Sequence, residues 1–218
     1  MITPAILEKT PHGFAEKLAK LATLKTKVKT IQVDFCDGLF VPNDTMSIHE
    51  FALVGELSKK YLWEAHLMLI NPQNFADYKT AGFSKIIIHY ESFESEQHLE
   101  DALDQITKLG LTPGIAINPT TPVSVLRYFT DTIKHFTILS VEPGTQGNPF
   151  LRESIDRVKM LREMAPNATI EVDGGINVSN AAALLEAGAD NLAVGSALFE
   201  TENTKENFEQ IESAGTTI

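Results

Sequence analysis

Short, nearly continuous apolar runs alternate along this chain with longer stretches in which apolar residues recur every three or four positions. The short runs are "ITPAIL" (2–7), "VKTIQVDF" (28–35), "LWEAHLML" (62–69), "SKIIIHY" (84–90), "TPGIAIN" (112–118), "FTILSV" (136–141), "TIEVDG" (169–174) and "NLAVGS" (191–196). Their β-branched, apolar centres predict strands buried on both faces. The intervening patterns predict helices over 12–24, 48–60, 72–81, 95–109, 122–129, 150–164, 179–187 and 203–213. Glycines in "AGF" (81–83), "LGL" (109–111) and "AGA" (187–189) fall where a helix would stop before the next strand.

Eight strands alternating with eight helices, without a linker or low-complexity segment, predict one α/β domain over residues 1–218 with a parallel sheet. The competing doubly wound sheet would carry G-x-G-x-x-G after its first strand, and none is there. The eightfold count therefore predicts a compact (β/α)8 TIM barrel.

Composition narrows the function classes. A 218-residue chain with 43% hydrophobic residues can fill a sizeable core. It has no apolar stretch approaching the roughly 20 residues that span a bilayer, and its first residues lack the basic start of a secretory signal. No membrane partner is expected, and the cytoplasm is the expected location. The formal charge of −11 repels phosphate backbones and excludes general nucleic-acid binding. The basic stretch at 17–29 lacks stacking aromatics and reads as a solvated face. The single cysteine, Cys36, cannot form an intrachain disulfide. It reads as a packing residue, with a nucleophilic role left open by its position.

In a (β/α)8 barrel the chemistry lies at the C-terminal strand ends. Asp34 ends the second strand, Glu64 and His66 lie on the third, and Asp173 ends the seventh. Taken singly, such an aspartate caps a turn and such a histidine is a hydrogen-bonded core residue. Together at one barrel mouth, Asp34, His66 and Asp173 form a nitrogen and oxygen set able to hold a divalent metal and exchange protons. Period-two alternation puts Gln32 with Asp34, and Glu64 with His66, on common faces. Glycine-rich turns follow strands six, seven and eight: Gly144 and Gly147, then Gly174 and Gly175, then Gly195 with Ser196. One glycine makes only a turn, but three successive strand ends of this kind point to an amide-lined phosphate site.

These segments resemble those of the ribulose-phosphate 3-epimerase family over nearly the whole chain. "VDFCDGLFVPN" is similar to the family's V-D-x-M-D-G-x-F-V-P-N, "AHLM" to V-H-L-M, and "INPTTP" to N-P-x-T-P. "SVEPGTQG" is similar to S-V-N-P-G-F-G-G, and "EVDGGIN" matches E-V-D-G-G-I-N. The orotidine decarboxylase and hexulose-phosphate synthase relatives expect D-x-K-x-x-D, whereas position 36 here is cysteine.

The resemblance implies a ribulose-phosphate-binding barrel that epimerises a ketopentose 5-phosphate at carbon 3. Asp34 and Asp173 would be the catalytic acid and base. Asp34, His66 and Asp173 would be ligands of one divalent ion, zinc, iron, manganese or cobalt. His66 and Met68 would lie beside the substrate. Gly144, Gly147, Gly174, Gly175, Gly195 and Ser196 would surround its phosphate, and the family implies a homo-oligomer. The departures fall inside the site. Gln32 stands where the family has a histidine ligand, Ala5 where it has serine, and Cys36 and Leu139 where it has methionine. Three readings stay open: an epimerase with altered metal preference, an epimerase for another ketose phosphate, and a phosphosugar-binding paralogue without turnover.

Overall fold

Isoleucine, valine and phenylalanine fill the centres of eight strands found among the described residues. They are β1 (Ile2–Ile6), β2 (Thr30–Cys36), β3 (Leu62–Met68), β4 (Phe83–His89), β5 (Thr112–Ile117), β6 (His135–Leu139), β7 (Thr169–Asp173) and β8 (Asn191–Val194). The computed structural model describes residues 1–24, 27–54, 60–143 and 147–215. Consecutive residues of β1, β2 and β3 are buried without alternation, as expected of strands covered on both faces. The strands follow chain order in a closed barrel, with β8 pairing in parallel to β1. This is the (β/α)8 fold that the alternating pattern predicts, and the strand bounds agree to within two residues.

The helices are α1 (Pro11–Ala22), α2 (Ile48–Val54), α3 (Phe75–Thr80), α4 (Glu96–Lys108), α5 (Ser154–Met164), α6 (Ala181–Glu186), α7 (Ser196–Phe199) and α8 (Thr204–Ala214). Local chemistry sets their ends. Thr10 accepts the Gly13 N–H at 3.1 Å with Pro11 in the first turn, and Ser95 accepts the His98 N–H at 3.3 Å. In α4, Leu99, Ala102, Leu103 and Ile106 are buried, the apolar stripe of a helix lying on a core. Gly110 then ends it at φ +74, a backbone that a side chain would strain.

The structure corrects one expected helix. Residues Val123–Phe129 form a 3-10 helix, in which the buried residues are Val123, Leu126 and Phe129. Their spacing of three matches the tighter turn. The four-residue α7, too short to show a period, was not expected. The C-terminal part of the expected 48–60 helix lies at 55–59, outside the described residues.

Contacts group the chain into two compact units, Ala5–Ile115 and Met1–Pro4 with Ala116–Ile218. The first is cored by aromatic rings. Phe51 lies 4.7 Å from Phe83, 5.4 Å from Trp63 and 5.4 Å from Phe14, mostly edge to face. Such pairs add about 0.5–1.5 kcal/mol each beyond burial. In the second, the Arg162 guanidinium donates to the Ala168 and Gly188 carbonyls, both at 2.7 Å, and meets the Asp190 carboxylate at 2.6 Å. It ties the end of α5 to the start of β8.

Each unit also buries one carboxylate a layer below its strand ends. Glu64 meets the Lys85 ammonium at 2.8 Å, and Glu171 lies 3.6 Å from the His135 ring. Glu64 precedes His66 by two residues and so shares its face at greater depth.

Candidate active site

In the Ala5–Ile115 unit, parallel pairing sets Gln32 opposite Glu64 and Asp34 opposite His66. That register brings three polar side chains together at the ends of β2 and β3. Asp34 Oδ1 lies 3.3 Å from His66 Nδ1, and the Gln32 amide nitrogen donates to Asp34 Oδ1 at 2.8 Å. The same amide nitrogen lies 3.4 Å from His66 Nδ1. Gln32 and His66 are fully buried and Asp34 is nearly so. Low polarity around them strengthens each interaction and makes a lost partner costly.

The Asp34 and His66 pair fits a divalent ion. Bonds of about 2.0–2.2 Å at octahedral or tetrahedral angles put neighbouring ligand atoms roughly 2.8–3.6 Å apart, the range in which the observed 3.3 Å falls. Imidazole nitrogen with carboxylate oxygen suits zinc, iron, manganese or cobalt. Gln32, as oriented, donates from its amide nitrogen to Asp34 and presents the same nitrogen to His66 Nδ1, and an amide nitrogen in that role is no ligand.

The segment after β2 is a built turn. Asp37 Oδ1 accepts the Leu39 and Phe40 N–H groups, and Oδ2 accepts the Ile70 N–H, all at 2.8 Å. Burial pushes this carboxyl up, yet the donors at Phe40, Ile70 and Leu39 outweigh it and hold it below the ordinary value. Asp37 thus joins the loop after β2 to the loop after β3. Cys36 packs with Val41 and Met68, beside Leu7 and Phe40. Its thiol is buried.

In the other unit, Asp173 ends β7, level with Leu139 on β6 and Ala193 on β8. The Ser140 hydroxyl fixes the turn that follows, donating to the Asp173 carbonyl at 3.0 Å and the Gly174 carbonyl at 2.6 Å. Three expected phosphate residues, Gly147, Gly175 and Ser196, line one depression of about 390 Å³ with Asn148, Asn177 and Ala197. Gly175 has φ +64, and a Cβ there would lie 3.0 Å from the backbone of Phe150. Its glycine identity is therefore required by close approach as well as by conformation. Gly174 and Gly195 adjoin the depression in sequence, and Gly144 lies outside the described residues.

One polar residue was missed. His89, the last residue of β4, is fully buried with its Nε2 at 2.9 Å from His66 Nε2. Its Nδ1 lies 3.3 Å from Glu91 Oε2. "IIIHYE" carried the available signal, an imidazole where an apolar strand stops and a carboxylate two residues on.

Residues 1–199 match the model of the ribulose-phosphate 3 epimerase family. The chain is 34% identical over 211 residues to the ribulose-phosphate 3-epimerase of Synechocystis sp., covering 94% of this chain and 90% of that one. It is 34% identical over 209 residues to the chloroplastic ribulose-5-phosphate-3-epimerase of Arabidopsis thaliana, covering 90% and 74%. The ribulose-phosphate 3-epimerase of Aquifex aeolicus is 30% identical over 221 residues, with 98% and 96% covered. Among solved structures, 3-hexulose-6-phosphate synthase from Salmonella typhimurium aligns with a TM-score of 0.74 at 13% identity over 99% of this chain and 98% of that one. Orotidine 5'-phosphate decarboxylase from Pyrococcus horikoshii aligns at 0.69 with 18% identity over the full length of both. At such identities these two share the fold alone. No helix among the described residues is long and apolar enough to cross a membrane.

Proposed function

The chain belongs to the ribulose-phosphate 3-epimerase family, and from that premise we propose that it interconverts D-ribulose 5-phosphate and D-xylulose 5-phosphate. Asp34 and Asp173 are the proton-transfer groups. One carboxylate removes the carbon 3 proton from one face of the ketose, and the other, protonated, returns a proton to the opposite face. Inversion at a single carbon needs two groups on two faces, and a pair of carboxylates suits the task. Two such charges facing one ligand repel each other, and a cation offsets that repulsion.

Asp34, His66 and Asp173 would offer one ligand atom each to a divalent ion. Bound there, the ion would supply positive charge for the oxygen that becomes anionic when carbon 3 loses its proton. His66 holds its ring against Asp34, Gln32 orients the Asp34 carboxylate through its amide N–H, and Met68 with Cys36 walls the site. Gly147, Gly175 and Ser196 bind the phosphate at the depression they line, and Gly144, Gly174 and Gly195 are the further phosphate residues. The protein works in the cytoplasm as a homo-oligomer on a small phosphosugar.

The observation that carries this reading is the buried Asp34 and His66 pair at metal-ligand spacing in a chain of this family. Product analysis tests it. Purified protein supplied with manganese, cobalt, zinc or iron should convert D-ribulose 5-phosphate into an equilibrium mixture with D-xylulose 5-phosphate, and a chelator should stop the conversion. Absence of the xylulose epimer with all four metals would overturn it.

A second reading rests on Gln32. Its amide N–H groups lie against the two acceptors that a metal would use, which favours a paralogue that binds a phosphosugar without turnover. Binding of the sugar phosphate without product in the same assay would select it.

A further inference from the structure

We propose that His89 and Glu91 are positioning residues that select the tautomer of His66, leaving its Nδ1 without a proton and facing Asp34. Three contacts of one line of groups carry the inference. Glu91 Oε2 lies 3.3 Å from His89 Nδ1, His89 Nε2 lies 2.9 Å from His66 Nε2, and His66 Nδ1 lies 3.3 Å from Asp34 Oδ1. The two rings are nearly parallel, with centroids 5.0 Å apart and planes 18° from each other. That centroid separation, together with the short nitrogen contact, sets the rings edge to edge, where a ring N–H can point at a ring lone pair.

The proton positions then follow from the chemistry of neutral imidazole, which has one N–H and one lone pair. The Glu91 carboxylate can only accept, so His89 carries its proton on Nδ1. His89 Nε2 is then a lone pair and accepts from His66 Nε2–H. His66 has no second proton, and its Nδ1 is a lone pair. The Gln32 amide N–H at 3.4 Å faces that lone pair with the polarity it needs. The opposite tautomers would give Asp34 an N–H from His66 Nδ1, but they would turn a His89 lone pair toward the Glu91 carboxylate and a His66 N–H toward the Gln32 N–H, while Asp34 Oδ1 already accepts from Gln32 at 2.8 Å. Glu91 and Gln32 thus select together: the Glu91 side chain is 22% exposed, while both rings between it and Asp34 are fully buried.

The consequence rests on the proposed metal-dependent reading. A histidine binds a metal through an unprotonated nitrogen, and an acceptor behind the other nitrogen raises its basicity and fixes its orientation. His89 provides that acceptor and Glu91 fixes it in place. This relay also accounts for a histidine buried beside a histidine, a pairing that packing alone does not require.

The test is nitrogen NMR of histidine side chains in the chelator-treated, full-length protein, followed by titration with Co2+ alone. In the unmodified protein His66 and His89 should show protonated Nε2 and protonated Nδ1, respectively. Glu91→Ala should release both rings into a mixture of tautomers and weaken Co2+ binding about 10–100-fold. Glu91→Gln keeps an accepting oxygen and should retain the original tautomers, with Co2+ binding within a few-fold. A protonated His66 Nδ1 in the unmodified protein, or tautomers unchanged by Glu91→Ala in a variant whose circular dichroism is intact, overturns the proposal. Failure here is distinct from failure of the epimerase reading, since the tautomers are read without substrate. Predicted tautomers with no turnover would sink only the latter.

Discussion

The Gln32 amide nitrogen donates to Asp34 Oδ1 across 2.8 Å, both groups buried on β2 at the strand's C-terminal end. A histidine in place of Gln32 could turn a lone pair toward the same space, whereas this amide turns hydrogens toward it. Gln32→His should therefore tighten binding of Co2+ or Zn2+ by about 10-fold or more, the scale of changes seen even when a ligand's neighbour is altered. Competition with a chromogenic chelator reads this directly. Unchanged affinity would mean that residue 32 does not face the ion.

Asp34→Asn and Asp173→Asn should each lower kcat by at least about 10²–10⁴-fold, the contribution of a positioned acid or base. Circular dichroism and the thermal midpoint should show the fold kept, because asparagine is nearly isosteric. Near wild-type turnover in either variant would remove that residue from the proton-transfer pair.

Asp37 predicts a pH effect on stability with a definite sign. Its folded carboxyl is held below the ordinary value, so the stability it adds is fully present above the unfolded pKa and is lost as pH falls through the lowered folded value. Asp37→Asn replaces one accepting oxygen with a donor and deprives one of the three N–H groups of its partner. It should cost about 1 kcal/mol at pH 7, and urea unfolding should find the gap to wild type closing toward pH 3.

Gly175→Ala should damage the phosphate depression locally. The added Cβ would meet the Phe150 backbone at 3.0 Å and force a side chain into φ +64, a cost of about 1–3 kcal/mol. Raised KM for the sugar phosphate, with weaker competition by inorganic phosphate, should exceed any loss of kcat. Equal affinity for inorganic phosphate in both proteins would place the anion elsewhere.

The barrel was legible because its strands are buried on both faces and its helices on one, two patterns that differ plainly in period. The 3-10 helix at Val123–Phe129 was not, since a spacing of three in a short segment passes for an α-helical one. Asp34 and His66 were legible as polar residues where apolar runs end. His89 satisfies the same rule, yet "IIIHY" reads first as a buried strand, and only the register across β3 and β4 brings its ring to His66. The donor role of Gln32 was equally hidden, because the sequence names an amide without saying which end faces the carboxylate.

The most direct test of the epimerase reading is deuterium wash-in at carbon 3. With D-ribulose 5-phosphate in deuterated water and manganese, cobalt, zinc or iron supplied one at a time, the account predicts deuterium at carbon 3 in the recovered pentulose phosphates with at least one metal. No deuterium at carbon 3 with any of them, from protein that still binds the sugar phosphate, would contradict it.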